Sequence, residues 1–297
     1  MLRALTFAGA LVFVTTAQAD VWVLDARGAR VVLPAPAQRV ISLAPHATEL
    51  LFAAGAGDSV VGVLAPGDWP AQARRLPKVG DANAVNLEGI LALKPDLIVA
   101  WPYLPPLQVE RLREMGIVVY LSDPRTPTAI ADDIERLGVL TGHGDEAGRT
   151  AASLRARIAR QRERYADADR VRVFYEIWNR PIYTVGGGHL ITVAIELCGG
   201  SNVFAAQALP APQVSVESVL AAAPAAIVAG TDGGVRPEWL DEWRAWPALP
   251  AVAQGNLFVV DADLLHRAGP RFVDGIEQLC AALAVARARS RPATTVR

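Results

Sequence analysis

The 297-residue sequence predicts an α/β protein of two similar lobes with mostly parallel sheets, joined by one long rigid helix. Three observations predict it. A sixteen-residue phrase occurs twice, 129 positions apart, as VNLEGILALKPDLIVA (85–100) and VSVESVLAAAPAAIVA (214–229), with eight identical positions. Each copy carries a carboxylate early in a short helix (Glu88, Glu217), a proline stop, and an apolar run suited to a buried strand. Elsewhere short apolar runs alternate with helix-patterned segments, the mark of a sheet covered on both faces. Finally, Asp145–Ala166 is rich in charge and helix formers, with one glycine and no proline. About twenty helical residues span roughly 30 Å, the size of a small lobe. Two lobes make a cleft, and small-molecule sites favour such interfaces.

The elements follow in order. Residues 1–19 place one arginine before an apolar stretch that closes on Ala17-Gln18-Ala19, the pattern of a cleaved signal peptide. The stretch is shorter than the roughly 20 residues of a bilayer-spanning helix. No cysteine follows the expected cut, so no lipid anchor is indicated, and an exported, soluble chain begins near Asp20. Val21–Leu33 alternates apolar and polar residues around Asp25–Gly28, a β-hairpin. The first lobe then reads as strand Arg39–Leu43, helix Ala47–Ala54, strand Val60–Leu64, the first repeat ending in strand Leu97–Trp101, helix Leu107–Met115 and strand Ile117–Leu121. In the connector, Ala151, Leu154 and Ile158 form an apolar stripe, and the arginines a solvated face. The second lobe reads as strand Val171–Tyr175, loop Ile177–Gly188, helix Leu190–Cys198, the second repeat, strand Leu257–Val260, loop Asp261–Gly269 and helix Phe272–Ala288. The expected divisions are a signal peptide (1–19), a hairpin segment (20–38), an N-terminal lobe (39–140), a connecting helix (141–169), a C-terminal lobe (170–288) and a flexible tail (289–297).

Composition bounds the function. Twenty-nine basic residues against thirty acidic ones leave no field for nucleic acid or an anionic membrane. The two cysteines, Cys198 and Cys280, would be buried thiols in a reducing compartment; in an exported chain their even count predicts a disulfide. Closing a loop of about 80 residues gives such a bond roughly 4–5 kcal/mol.

The order and spacing of RVISLAPHATELLFAAG, VNLEGILALKPDLIVAW, the Tyr183-Thr184 loop before ELCGGSNVF, PQVSVESVLAAAP and RAGPRFVDGIEQLC resemble the cluster III periplasmic binding proteins that feed ABC importers, above all their cobalamin-binding members. The resemblance covers about Arg39 to Ala284 and includes the cysteine positions. It implies a helical-backbone, TroA-like fold, a periplasmic location, a monomer, and no cofactor or enzymatic activity. The transported ligand is then cobalamin or another corrinoid, with haem or a ferric siderophore as the alternative. It also implies that Glu88 and Glu217 dock on the importer's membrane subunits. Read without it, each glutamate is an anion in a first helical turn, favoured by the dipole by about 0.3–1 kcal/mol.

For the ligand, the resemblance points to Trp69, Trp101, Tyr183, Asp263 and Arg267. Trp69 and Trp101 follow predicted strands, where open α/β sheets place their ligands; Asp263 and Arg267 are also spaced as an i,i+4 ion pair. Two departures stand out. Ala82 and Ala211 occupy positions where the best-known cobalamin binder of the family has tryptophans, which enlarges the cleft; Trp178 is a candidate for replacing part of that area. Four histidines occur. His46 and His266 are placed to face the cleft, as polar lining residues or as ligands to a corrin cobalt or haem iron. His143 and His189 read as surface or loop residues. Gly186-Gly187-Gly188 fits neither a dinucleotide nor a P-loop fingerprint, and no GxSxG or HExxH occurs. A periplasmic hydrolase, resting only on acids and histidines near strand ends (Asp68, Asp81, His46, Asp263), is the alternative of a different class.

Overall fold

The computed structural model describes residues 20–81, 83–231 and 233–290. The expected signal peptide, Ala82 and residues 291–297 of the expected tail lie outside the described residues. Strands β1 (Val21–Leu24) and β2 (Arg30–Leu33) pair antiparallel, with Asp25 Oδ1 accepting the Arg27 and Ala29 N–H groups in the turn. The first lobe follows as β3 (Val40–Ser42), α1 (Pro45–Ala53), β4 (Val60–Val63), α2 (Leu87–Ala92), β5 (Leu97–Ala100), α3 (Pro106–Glu114) and β6 (Val118–Leu121). Two helices come next, α4 (Pro127–Thr141) and α5 (Gly144–Arg164). The second lobe contains β7 (Val171–Asn179), β8 (Ile182–Thr184), α6 (Leu190–Leu197), β9 (Gly200–Asn202), α7 (Val216–Ala222), β10 (Ala226–Thr231), α8 (Pro250–Ala253), β11 (Leu257–Asp261), α9 (Ala262–Leu265) and α10 (Phe272–Ser290).

The two sheets have the same plan. Parallel strands run β4-β3-β5-β6 in the first and β9-β7-β10-β11 in the second, where β8 adds antiparallel to the far half of β7. The sequence repeat is a structural repeat down to single bonds. Asn86 and Ser215 occupy equivalent N-caps and accept the Gly89 and Ser218 N–H groups at 2.9 and 3.3 Å. Arg39, just before β3, and Arg172, in β7, donate to the helix-end carbonyls of Leu93 and Ala222. Lys94 and Ala223, each preceding the repeat's proline, both adopt left-handed backbone, with φ of 47° and 41°. A side chain there costs roughly 1–2 kcal/mol, so the tight helix-to-strand turn is imposed by packing in both copies.

Period-two alternation divides each strand between two cores. Val40, Leu97, Val99 and Tyr120 face α1, α4 and α5, while Ile41, Ile98, Ala100 and Val119 face α2 and α3. In the second sheet Val173, Tyr175 and Val228 face inward, and Phe174, Ile227 and Ala229 pack outward on Val219 of α7 and Trp243. The inward core is continuous across both lobes through α4, α5, α6 and α10. Helix α5 is pinned on both sides. Arg155 reaches Asp132 (2.6 Å) and Glu135 (2.7 Å) on α4, and Arg157 reaches Glu277 of α10 at 2.8 Å. Cys198 and Cys280 form the disulfide, joining the end of α6 to α10.

Several boundaries differ from the sequence reading. Helix α1 starts at Pro45, pre-set for a first helical turn, and so takes in His46. Strand β7 continues to Asn179 and turns through Arg180-Pro181 into β8, so much of the expected loop Ile177–Gly188 is sheet. Strand β9 is made by pairing with Val171–Val173, and α9 forms inside the expected loop Asp261–Gly269. The last helix includes Arg289 and Ser290, which the expected tail had claimed.

Candidate functional site

A cavity of about 440 Å³ lies between the lobes. The first lobe contributes His46 from α1, Trp101 and Tyr103 from the segment after β5, and Asp123–Arg125 after β6. The second contributes Gly188–Leu190 at the start of α6, Pro210-Ala211, and Leu265–Ala268 around the end of α9. The walls are therefore strand-end loops and helix ends, the parts of an α/β sheet where backbone groups are unpaired and ligands gather.

The first-lobe wall is aromatic. Trp101 stacks edge-on with Tyr103 (4.7 Å between centroids) and with His46 (5.9 Å), and keeps 42% of its surface exposed. His46 is buried, and desolvation pushes its imidazole down to about 4, so it is neutral at ordinary pH. Its Nε2 faces the Ser122 carbonyl at 3.4 Å. A carbonyl only accepts, so Nε2 carries the proton and Nδ1 the lone pair. The Ser122 hydroxyl and Tyr120 donate to buried Asp133 at 2.6 and 2.7 Å, which fixes that strand end against α4.

The second-lobe wall carries two histidines. His266 Nε2 lies 3.0 Å from the Tyr175 hydroxyl, and burial lowers its proton affinity. His189, expected at the surface, instead caps α6 inside the cleft: Nδ1 accepts the Ile191 N–H at 3.1 Å. Desolvation, with neighbouring His266, pushes it down to about 4. With Nδ1 occupied, its Nε2 is a donor. Nothing in the sequence marks this histidine, because imidazole is not a common cap and its neighbour is 77 residues away. His143 sits outside the cleft at the α4–α5 junction, next to Thr141.

Across one side of the cleft runs an ion-pair network of which the sequence pattern showed only the i,i+4 pair Asp263–Arg267. Arg267 donates to both Asp68 oxygens at 2.8 and 3.0 Å, lies 3.0 Å from Asp263, and comes within 3.7 Å of Glu49. The guanidinium holds the Asp68 carboxyl below its usual range. Arg271 donates to both oxygens of buried Glu49 at 2.7 and 3.0 Å. Gly269 makes this possible: a Cβ there would stand 2.8 Å from Glu49 Oε2, which Arg271 clamps in place. Glu49 and Asp68 belong to the first lobe and both arginines to the second, so the network joins the lobes.

The candidate residues therefore divide. Trp101, His46, His266 and Arg267 line the cavity, and Asp263 pairs with Arg267. Trp69 stands beside it, one face covered by the Arg271 guanidinium at 4.3 Å. Tyr183 is exposed on β8, with Gln213 as its bridge partner, and is not part of the cavity wall. Ala211 lines the cavity, while Trp178 lies outside that wall and donates to the Arg180 carbonyl. Glu88 and Glu217 are exposed in the first turns of α2 and α7.

The model of the periplasmic binding protein family matches residues 40–264. The chain is 41% identical over 255 residues to the vitamin B12-binding protein of Vibrio cholerae serotype O1, covering 85% of this chain and 91% of that relative. Among solved structures, the periplasmic vitamin B12-binding protein BtuF of Vibrio cholerae superposes with a TM-score of 0.77 at 41% identity, covering 84% of this chain and 98% of that one. The periplasmic heme-binding protein RhuT of Roseiflexus sp. RS-1 superposes with a TM-score of 0.72 at 26% identity, over 84% of this chain and 99% of that one.

Proposed function

This chain belongs to the periplasmic binding protein family, whose members are substrate carriers rather than enzymes, and we propose that it captures cobalamin or a related corrinoid between its lobes for an ABC importer. The observation that carries this reading is the interlobe cavity with its Trp101–Tyr103 wall, in a chain so similar to vitamin B12-binding relatives. A flat, amphipathic macrocycle needs aromatic faces for contact area and a few polar groups for orientation. Trp101 and Tyr103 supply the first; Arg267 and the neutral imidazoles of His46 and His266 supply the second. Trp69 and Tyr183, each exposed, extend the contact at the rim. Ala211 leaves room on the opposite side, which redirects selectivity and admits a cobinamide or another corrinoid besides cobalamin. The ligand binds by contact alone, and the protein carries out no covalent step.

Delivery follows from the duplication. Glu88 and Glu217 present carboxylates from equivalent first turns of two similar lobes, the arrangement a two-fold symmetric membrane partner would read. Residues 1–19 direct export and are removed in the periplasm on this reading. Haem in the same cleft is the second reading, favoured by one observation: His46 Nδ1 holds its lone pair free of the Ser122 contact.

One experiment separates them. Purified protein is incubated with cyanocobalamin, cobinamide and haemin in parallel, desalted, and its spectrum recorded. Retained corrinoid bands are expected. A haem Soret band with no corrinoid retained would overturn the proposal.

A further inference from the structure

A second cavity, of about 490 Å³, opens on the outer face of the second sheet and shares no wall residue with the cleft. It lies between the β7–β8 hairpin, the start of α7 and the 3-10 segment Glu238–Ala245. Glu176 lines it at 1% exposure, a carboxylate in the middle of β7 between Tyr175 and Ile177. Its Oε2 accepts the Trp243 indole N–H at 2.7 Å, whereas its Oε1 makes no hydrogen bond among the described residues. Trp239, Trp243 and Trp246 add three indoles to the walls, the last two 5.4 Å apart. The one basic side chain on that wall, Arg180, is committed to Glu242 at 2.7 Å.

We infer that this cavity is a separate binding site for an organic cation, a guanidinium or alkylammonium group, held between the Glu176 carboxylate and the indole faces. Three physical points lead there. A neutral glutamine carbonyl would satisfy the Trp243 N–H as well, so the fold has no use for the charge. A buried carboxylate without a counter-charge is costly, and burial, with Glu242 adding to it, holds this one up to about 7. A cation in the cavity supplies both the missing charge and donors for Oε1, in a setting of tryptophan faces that favours guanidinium and ammonium groups. The start of α7 forms one edge, with Val216 next to Glu217, so the group can come from a free solute or from a side chain of a protein partner.

The test uses the whole protein. Agmatine, which carries a guanidinium and an ammonium, and N-butylurea, a neutral urea of the same chain length, are titrated while the indole N–H resonance of Trp243 is followed, assigned with Trp243→Phe. Agmatine is expected to shift it saturably with a Kd of about 1 mM or tighter, and N-butylurea not to. Glu176→Gln, which keeps shape and the Trp243 bond, should weaken agmatine at least about tenfold and leave cyanocobalamin affinity unchanged. Trp239→Leu, on the half-buried wall, should weaken it as well. A flat titration, equal binding of the urea, or undiminished affinity in Glu176→Gln overturns the inference. Assembly of Glu176→Gln with the importer's membrane subunits in detergent then identifies the source. Weaker assembly assigns the cation to a partner's arginine or lysine, and unchanged assembly assigns it to a free solute.

Discussion

The Glu49–Arg271 pair is a buried ion pair between the lobes, and a double-mutant cycle tests its contribution. Glu49 has 1% of its side chain exposed and Arg271 18%, with both carboxylate oxygens engaged at 2.7 and 3.0 Å across 222 residues of chain. Breaking a buried pair by removing one partner costs about 3–5 kcal/mol, because the other charge is stranded. Arg271 retains some access to water and can lean on Trp69, so Glu49→Ala should fall near the lower end, about 3 kcal/mol. Arg271→Ala strands Glu49 more severely, but Arg267, 3.7 Å away, offers a substitute cation. A loss of about 2–3 kcal/mol is expected. The double variant should lose less than the sum, leaving a coupling of about 2 kcal/mol. Urea unfolding followed by far-ultraviolet circular dichroism gives all four values, and raising salt from low to physiological strength should change the coupling little, since the pair is shielded from solvent. A coupling below about 0.5 kcal/mol would refute the reasoning. The lobes would then be held by their common apolar core alone, with the ion pairs as passengers.

Four further outcomes are expected. Replacing both cysteines with alanine should cost roughly 4 kcal/mol in urea unfolding, since Cys198 and Cys280 close a loop across 82 positions; an unchanged midpoint would contradict this. The Glu176 carboxyl stands at about 7 when folded, against 4.5 ordinarily, so between those values the folded state keeps a proton that the unfolded chain has released. Stability from this group is full below pH 4.5 and is lost as pH rises through 7, in all roughly 3 kcal/mol; Glu176→Gln should remove that part of the pH dependence, and parallel curves for the two proteins would contradict it. Reversing charge at Glu88 and Glu217 together should abolish importer-dependent uptake, with ligand affinity intact and a stability cost of about 1 kcal/mol or less per site; normal uptake would remove the docking role. Gly230→Ala should cost about 1–2 kcal/mol and displace the His266 ring, because a Cβ there would lie 3.0 Å from Ala262 Cβ and 3.1 Å from His266 Cε1; unchanged His266 ring resonances would count against it.

How far the sequence was legible depends on where each bond is made. The two sheets were readable because most of their parallel strands are apolar runs bounded by turn residues, and because the duplicated phrase carries its own cap, stop and strand. Helix α5 was readable from composition. Helix α4 carries a cap at Thr126 and the stripe Ile130, Ile134 and Leu137, a helical signal that its interspersed charges obscure. Strand β9 had no such signal: Gly-Ser-Asn has little strand preference and is extended only because Val171–Val173 offers it a partner. The interlobe network joins residues about 200 positions apart, and no local pattern records that. Glu176 is the instructive intermediate case. A lone carboxylate in the run VRVFYEIW is visible in the sequence, and only burial turns it from an ordinary surface residue into an uncompensated charge.

The same duplication that makes the fold legible implies a cleft between the lobes but not its chemistry, because the walls lie where the two copies diverge. Both phrases end in the same Ile-Val-Ala strand, and the next residue is Trp101 in one and Gly230 in the other. In the first lobe that position supplies the largest aromatic surface of the wall. In the second it has no side chain, and the vacated space is taken by the His266 imidazole, 3.1–3.3 Å from where a Cβ would stand. One substitution in a repeated frame thus sets an indole on one wall against an imidazole on the other. A symmetric scaffold acquires a polar side and an apolar side, as recognition of an amphipathic ligand requires. A comparison of the two copies as equals sees eight matches and reads past this mismatch, yet the position immediately after the repeat is where the wall of the cleft begins.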